Sequence, residues 1–336
     1  MKNEPSIQPG QVNLGFQKLG ANDLKGVLIA LSSEPPTRQE RPRKCRRLDG
    51  VPLILNRIKA VSQASPVKSL SFSGNPIGDG AMKHIYMIPE SITDLDLSEC
   101  RLTPKGVRTL SEFLKTNESI TRLTLRGNHV GLAGAKAIAE MLLLNKTLRV
   151  LSVSDCKIGP GGFAYIGMGI LKNESLKELD LSRQKDFSIL NDEYVESFGE
   201  MSSMITFDGD FCVLTLAVCL NSRLGLEKLD VSDLGTSDRS ADAMAKYLEN
   251  NETLEEIQLG VNKSVSLDYG KPWSVVCHQL AMNRLKRNLI DKPGLDDSKW
   301  MEYLVQSSGA DLGLHGLYFI LKNKPDLCNR QKLLKE

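Results

Sequence analysis

Four stretches of the chain carry the same alternation of apolar and polar positions. Residues 91–97 (SITDLDL), 119–125 (SITRLTL), 147–153 (TLRVLSV) and 175–181 (SLKELDL) align without gaps, each starting 28 residues after the last. Two further copies, 225–231 (GLEKLDV) and 253–259 (TLEEIQL), are again 28 apart, and a shorter copy around Leu70 and Phe72 precedes them. Within each copy, two apolar residues separated by one residue point to the same side of a short strand. Gly106, Gly134 and Gly162 then open segments whose apolar residues fall at helical spacing: Val107/Leu110/Leu114, Ala135/Ile138/Leu142 and Phe163/Ile166/Ile170. Asn117, Asn145, Asn173 and Asn251 follow these helices, where the left-handed cap conformation tolerated by Asn is expected.

Three positions after the second strand residue stands Asn75, Cys100, Asn128, Cys156, Gln184, Leu234 or Asn262. These side chains are expected to point inward and tie the turning backbone to its neighbour, because buried N–H groups need partners. One such unit cannot bury its own apolar face, so successive units must stack. At these residues the chain resembles the ribonuclease-inhibitor type of leucine-rich repeat. The alternation Asn75, Cys100, Asn128, Cys156 is similar to the alternating repeat types of that family. The resemblance implies an α/β horseshoe solenoid: a parallel sheet lines the concave side, helices cover the convex side, and a helical C-terminal cap closes the array.

The expected organisation has four parts. Residues 1–22 read as a flexible N-terminal tail, and 23–64 as a degenerate capping repeat with a basic loop at 34–47. In that capping repeat, Leu24 to Leu31 reads as a strand and Val51 to Val61 as its helix. Residues 65–288 form the repeats. The unit beginning at Ser175 is 22 residues longer than the period, which places an insertion at about 185–208. Residues 289–336 read as a helical cap and tail. The stretch from Asn283 through Trp300 to Cys328 resembles the tails of leucine-rich repeat proteins of diatoms and related algae, and that likeness carries no activity.

Charge changes this picture little. A net charge of +2, with charged residues at 25%, gives no bulk argument for nucleic acid or an acidic membrane. No stretch reaches the roughly 18 continuous apolar residues of a membrane span. Seven scattered cysteines without a CxxC pair suit a reducing compartment, so cytoplasm or nucleus is expected. The recurring Asn-x-Ser/Thr triplets are read as repeat consensus rather than glycan sites. His84, His129, His278 and His315 are isolated, and no phosphate loop, nucleophile elbow or dinucleotide fingerprint occurs. The reading is a non-enzyme with no catalytic residue, cofactor, metal or small-molecule substrate.

Function is therefore expected from surfaces that bind a protein of unknown identity. On the concave face the candidates are Asp96, Arg122, Thr124, Arg126, Asp180, Asp230 and Gln258. Arg122 and Arg126 depart most from repeat consensus, whereas Asp and Ser there are ordinary strand residues. Ser98, Ser154 and Ser182 are read as standing beside the column. In the insertion the candidates are Phe187, Asp192, Glu193, Tyr194 and Phe198, an acidic–aromatic group on a long excursion. Arg41, Arg43, Lys44, Arg46 and Arg47 form the densest cationic run; it reads first as a solvated loop, then as a nuclear import signal, with RNA or anionic lipid as further alternatives. Two other roles come from resemblance of fold alone. One is a GTPase regulator, because the Ran GTPase-activating family uses this repeat type, although its Arg-containing loop motif and acidic tail are not visible here. The other is a cytoskeleton- or axoneme-associated structural protein.

Overall fold

Each repeat strand is only three residues long, with its middle residue turned inward. In the computed structural model, which describes residues 5–32, 51–184, 208–220, 225–248 and 251–259 with Val276, Gln279, Leu280 and Asn283, these strands join one sheet. After β1 (Ser6–Gln8) and β2 (Gln11–Asn13) come β3 (Ser69–Ser71), β4 (Asp94–Asp96), β5 (Arg122–Thr124) and β6 (Val150–Ser152). β7 (Glu178–Asp180), β8 (Lys228–Asp230) and β9 (Glu256–Gln258) complete it. β1 and β2 are antiparallel, and from β2 onward every neighbour is parallel. The register is set by an unbroken buried row, Val12, Leu70, Leu95, Leu123, Leu151, Leu179, Leu229 and Ile257. A one-residue slip would turn that row out to water, so the period-2 pattern fixes the pairing.

Behind the sheet lie α1 (Ala21–Leu31), α2 (Val51–Ala64), a 3-10 helix (Asp79–Met87), α3 (Pro104–Leu114), α4 (Gly131–Leu142) and α5 (Gly159–Ile170). α6 (Gly209–Leu220) and α7 (Asp238–Tyr247) follow, and helices of consecutive repeats pack side by side. The strand row and the inward helix faces merge into one apolar core. This is a leucine-rich repeat solenoid of α/β class, as the repeat pattern implies.

The N-terminal end departs from expectation in two places. Residues 6–13 are no loose tail: they form a hairpin whose β2 extends the sheet, with Ile7, Val12, Leu14 and Leu19 buried. The signal is in the sequence, since Pro9-Gly10 separates two alternating runs and Gly10 takes φ +80, the position where Gly is free to turn. Leu24 to Leu31 is helix α1 rather than a strand. Its buried residues Leu24, Val27, Leu28 and Leu31 recur at i, i+3, i+4 and i+7, a face that a strand could not bury together. Asp23 Oδ2 accepts from Gly20 N at 2.8 Å and starts the helix.

Two ladders of side-chain amides hold the repeats together. At the turn after each strand, Asn128 Oδ1 accepts from Cys100 N and Leu102 N, both at 3.0 Å. Its Nδ2 donates to Leu97 O at 2.8 Å and Leu125 O at 2.7 Å. Gln184 does the same for the turn of Cys156 and Ile158, and Asn75 reaches back to Leu14 O and Leu19 N. The intervening cysteines return a bond to the preceding repeat, Cys100 Sγ to Phe72 O and Cys156 Sγ to Leu125 O, the latter shared with Ser154 O. An amide thus serves the repeat before it, and a cysteine suffices where the next repeat already supplies the amide. The residue before the turn position has positive φ in both kinds of turn (Gly74, Glu99, Gly127, Asp155 and Arg183), and the cysteine turns add a second at Arg101 and Lys157.

The second ladder corrects the expected role of the recurring asparagines. None of Asn117, Asn145, Asn173 or Asn251 has positive φ. Asn145 and Asn173 turn their side chains into the solenoid and donate to Leu114 O and Leu142 O, carbonyls at the ends of the preceding helices. Asn251 donates likewise to Leu220 O. Carbonyls at a helix end have no partner inside the helix, and the next repeat provides one. The Oδ1 of each accepts from the N–H groups two and three residues on, an Asx turn that favours Ser or Thr at the third position of the triplet. The triplet is a structural consensus whose amide nitrogen is engaged.

At α6, Asp210 caps the following helix, accepting from Ser237 N at 2.8 Å and Ser240 Oγ at 2.6 Å. Burial pushes its carboxyl up, but the bonds from Ser237 and Ser240 outweigh it and hold the group below the ordinary value. A depressed folded pKa contributes stability above the unfolded value that is lost as pH falls through the folded one. Asp210→Asn is therefore expected to lower the urea midpoint at neutral pH, with the gap to wild type closing in acid. A gap that does not change with pH would remove the carboxylate from this role.

Candidate functional site

The strand register places the predicted concave residues with little freedom. Ser71, Asp96, Thr124, Ser152, Asp180, Asp230 and Gln258 stand in one column, paired strand to strand. Asp94, Arg122, Val150, Glu178, Lys228 and Glu256 form the column beside it. Arg126 is exposed in the turn just past β5, at the position that Ser98, Ser154 and Ser182 hold in their repeats.

Hydrogen bonds separate residues that serve the fold from those left facing solvent. Asp96 Oδ1 accepts from Ser98 N and Ser98 Oγ, and its Oδ2 accepts from Ser71 Oγ. Asp180 repeats the arrangement with Ser182 and Ser152, and Asp230 Oδ1 accepts from Ser232 N. These aspartates close the strand ends of their own repeats. Ser98, Ser154 and Ser182, expected to stand beside the column, are instead buried at the strand ends, with Ser154 and Ser182 sharing a hydroxyl bond.

Arg122 is half exposed, 3.9 Å from Asp94, a contact worth little in water. Burial pushes the Asp94 carboxyl up despite that guanidinium, and Asp96 adds to the rise. Arg126 is exposed with no ion pair among the described residues. Across the gap, Lys228 sits 3.2 Å from Glu178, whose carboxylate raises the lysine's pKa by direct bonding. Val150 lies between Arg122 and Glu178, an apolar spot in a charged row. The two columns enclose a shallow groove of about 250 Å³ running from Arg122 and Thr124 to Glu256 and Gln258. Val150, Glu178 and Lys228 belong to it through the same column spacing that locates Arg122.

Other candidate chemistry is spread out. Cys100, Cys156, Cys212 and Cys219 are free and buried, and burial pushes the thiols of Cys100 and Cys156 up to about 12. A thiol that stays protonated is a poor nucleophile and metal ligand. The insertion residues Phe187, Asp192, Glu193, Tyr194 and Phe198 lie outside the described residues. So do the basic run Arg41, Arg43, Lys44, Arg46 and Arg47 and the C-terminal cap.

Together, the stacked units and their polar groove define a solenoid built of leucine-rich repeats. Residues 90–111, 116–139 and 144–167 match the family model described as a leucine-rich repeat. No curated protein matches the sequence. Solved structures similar to the chain include the actin-binding site 2 region of leiomodin-1, at 18% identity and a TM-score of 0.39. That match covers 67% of this chain and 95% of the other. Another is the leucine-rich repeat-containing protein LegL7 from Legionella pneumophila, at 19% identity and a TM-score of 0.35, covering 71% and 79%. Among the described residues no helix is long and apolar enough to cross a membrane.

Proposed function

We propose that this protein is a non-enzymatic scaffold of ribonuclease-inhibitor-type repeats that binds a protein partner on its concave groove, in the cytoplasm or nucleus. The observation that carries this reading is the division of labour among the concave side chains. Asp96 and Asp180 are occupied by the strand ends, while Arg122, Thr124 and Gln258 line a continuous, preformed groove and Arg126 is exposed in the turn after β5. A surface ordered before binding costs little entropy when it docks, so modest contacts suffice for affinity. The buried thiols favour a reducing compartment. The insertion remains part of the proposal as a second contact surface, with Tyr194 and Phe198 as its apolar anchors.

The test pairs proximity labelling in cells with the double variant Arg122→Glu/Arg126→Glu. Both side chains are exposed, so circular dichroism and the urea midpoint should stay unchanged. A partner labelled by the wild type and bound by the purified chain is expected to lose at least about tenfold in affinity, most of it in charge complementarity. Undiminished binding by the folded variant would clear the groove of this role.

A further inference from the structure

We infer that a second docking surface lies where α4 and α5 end, and that it takes an acidic, leucine-bearing helix of a protein partner. A hollow of about 450 Å³ opens there, lined by Leu142, Leu143, Lys146, Arg149, Lys172 and Glu174 among others. Leu143 in this lining is 47% exposed, and beside it and beside Lys172 in the sequence stand Leu144 at 61% and Leu171 at 41% relative exposure. Repeat consensus does not require them, since the preceding repeat places Lys115 and Thr116 at the positions of Leu143 and Leu144. Contiguous apolar side chains kept in water mark an interaction site more often than chance does.

Charge decides what fits. Three cations, Lys146, Arg149 and Lys172, face one carboxylate, Glu174. Neither lysine has an ion pair among the described residues, and Arg149 Nη1 is held by Ser175 O at 2.8 Å. Lysines past a helix end complement its dipole and alone would mean nothing. Leu142 and Leu143 lie among these cations, and the exposed Leu144 and Leu171 adjoin Leu143 and Lys172 in sequence, which suits an amphipathic helix bearing Leu anchors and flanking carboxylates. The hollow is concave and accepts a side chain, which a partner helix supplies and a flat membrane surface does not.

Fluorescence anisotropy on the full chain tests this, with a labelled helical peptide of Leu–Glu heptads as probe and a Leu–Lys peptide of the same apolar pattern as control. The acidic peptide is expected to bind, and added salt should weaken it. Lys146→Glu/Lys172→Glu and Leu143→Ser/Leu144→Ser should each cost about tenfold, because both charge and apolar contact are used. All four side chains are exposed, so the fold should survive. Arg122→Glu/Arg126→Glu should leave this binding unchanged, which separates it from the concave groove. Several results overturn the inference: no binding, equal binding of the basic peptide, or loss of binding in the concave variant. Self-association that the two double variants abolish assigns the surface to a second copy. Sedimentation with phosphatidylserine vesicles lost in those variants, without peptide binding, assigns it to lipid. Binding that appears only after residues 185–207 are removed assigns it to the chain's own acidic stretch.

Discussion

Replacing Asn128 with Ala should cost about 4 kcal/mol of stability, the largest effect expected from any single polar residue in the array. The side chain is 3% exposed and serves four backbone groups at once: the N–H groups of Cys100 and Leu102 and the carbonyls of Leu97 and Leu125. An alanine leaves the Cys100 and Leu102 N–H groups and Leu97 O without partners in a buried turn, while Leu125 O keeps the bond from Cys156 Sγ. Each unmet group costs roughly 1–3 kcal/mol, reduced where the turn relaxes or a water enters. Cys156→Ala is the control at the corresponding place one repeat on. It removes a single weak donor to Leu125 O, while Gln184 still satisfies the Cys156 and Ile158 N–H groups. A loss near 1 kcal/mol is expected there. Because each repeat contacts only its neighbours, the Asn128 variant should also split the urea transition as the array comes apart at its weakest interface. Equal losses in the two variants would show that the amide is not the tie between repeats.

The fold was legible because its causes recur. Leu95, Leu123, Leu151 and Leu179 stand 28 residues apart, and a strand with one inward residue has a single way to pair with its copies. The inward position of Asn75, Asn128 and Gln184 followed from the same comparison, since a polar residue at a fixed place in an apolar repeat must have a backbone to bind. Two misreadings arose where the repeat breaks. Leu24 to Leu31 is a short apolar run, and only the i, i+3, i+4, i+7 set that it buries distinguishes helix from strand. The hairpin at 6–13 has no copy elsewhere, so comparison was silent although Pro9-Gly10 announces a turn.

The candidate site was legible in position but only partly in role. Column membership of Asp96, Thr124, Asp180, Asp230 and Gln258 needs nothing beyond strand alternation. That Asp96 and Asp180 are taken up by Ser98 and Ser182 depends on the strand ending where it does, which places the serine N–H and hydroxyl against the same carboxylate oxygen. Spacing alone does not state that. The same holds for Leu143, Leu144 and Lys146: their exposure comes from the way α4 ends short of β6, and a count of apolar residues would assign the leucines to the core.

Asn173→Asp probes the second ladder and should cost about 3 kcal/mol near neutral pH, again from lost and unfavourable polar contacts at a buried site. The Nδ2 of Asn173 donates to Leu142 O at 2.7 Å and Asn145 O at 2.9 Å, and the side chain is 5% exposed. A carboxylate would turn a charged oxygen toward two carbonyl oxygens, with no donor to replace the amide. Its other oxygen would keep the Ser175 and Leu176 N–H groups, so part of the Asx turn survives. Burial and the facing carbonyls favour the neutral acid, which can donate one bond back. The introduced carboxyl therefore has its folded pKa raised above the unfolded one. Its contribution is retained below the unfolded carboxylate value and lost as pH rises toward the folded one. The variant's deficit against wild type should accordingly shrink between about pH 7 and about pH 4, in urea titrations at each pH. Asp210→Asn should also approach wild type in acid, for the opposite reason: there the wild-type carboxylate loses its advantage. Asn173→Ala distinguishes the two causes, because it lacks a titrating group and should show a deficit nearly independent of pH. If Asn173→Asp behaves like Asn173→Ala across that range, the facing carbonyls do not act on the introduced charge, and the helix-end ladder is looser than its distances indicate.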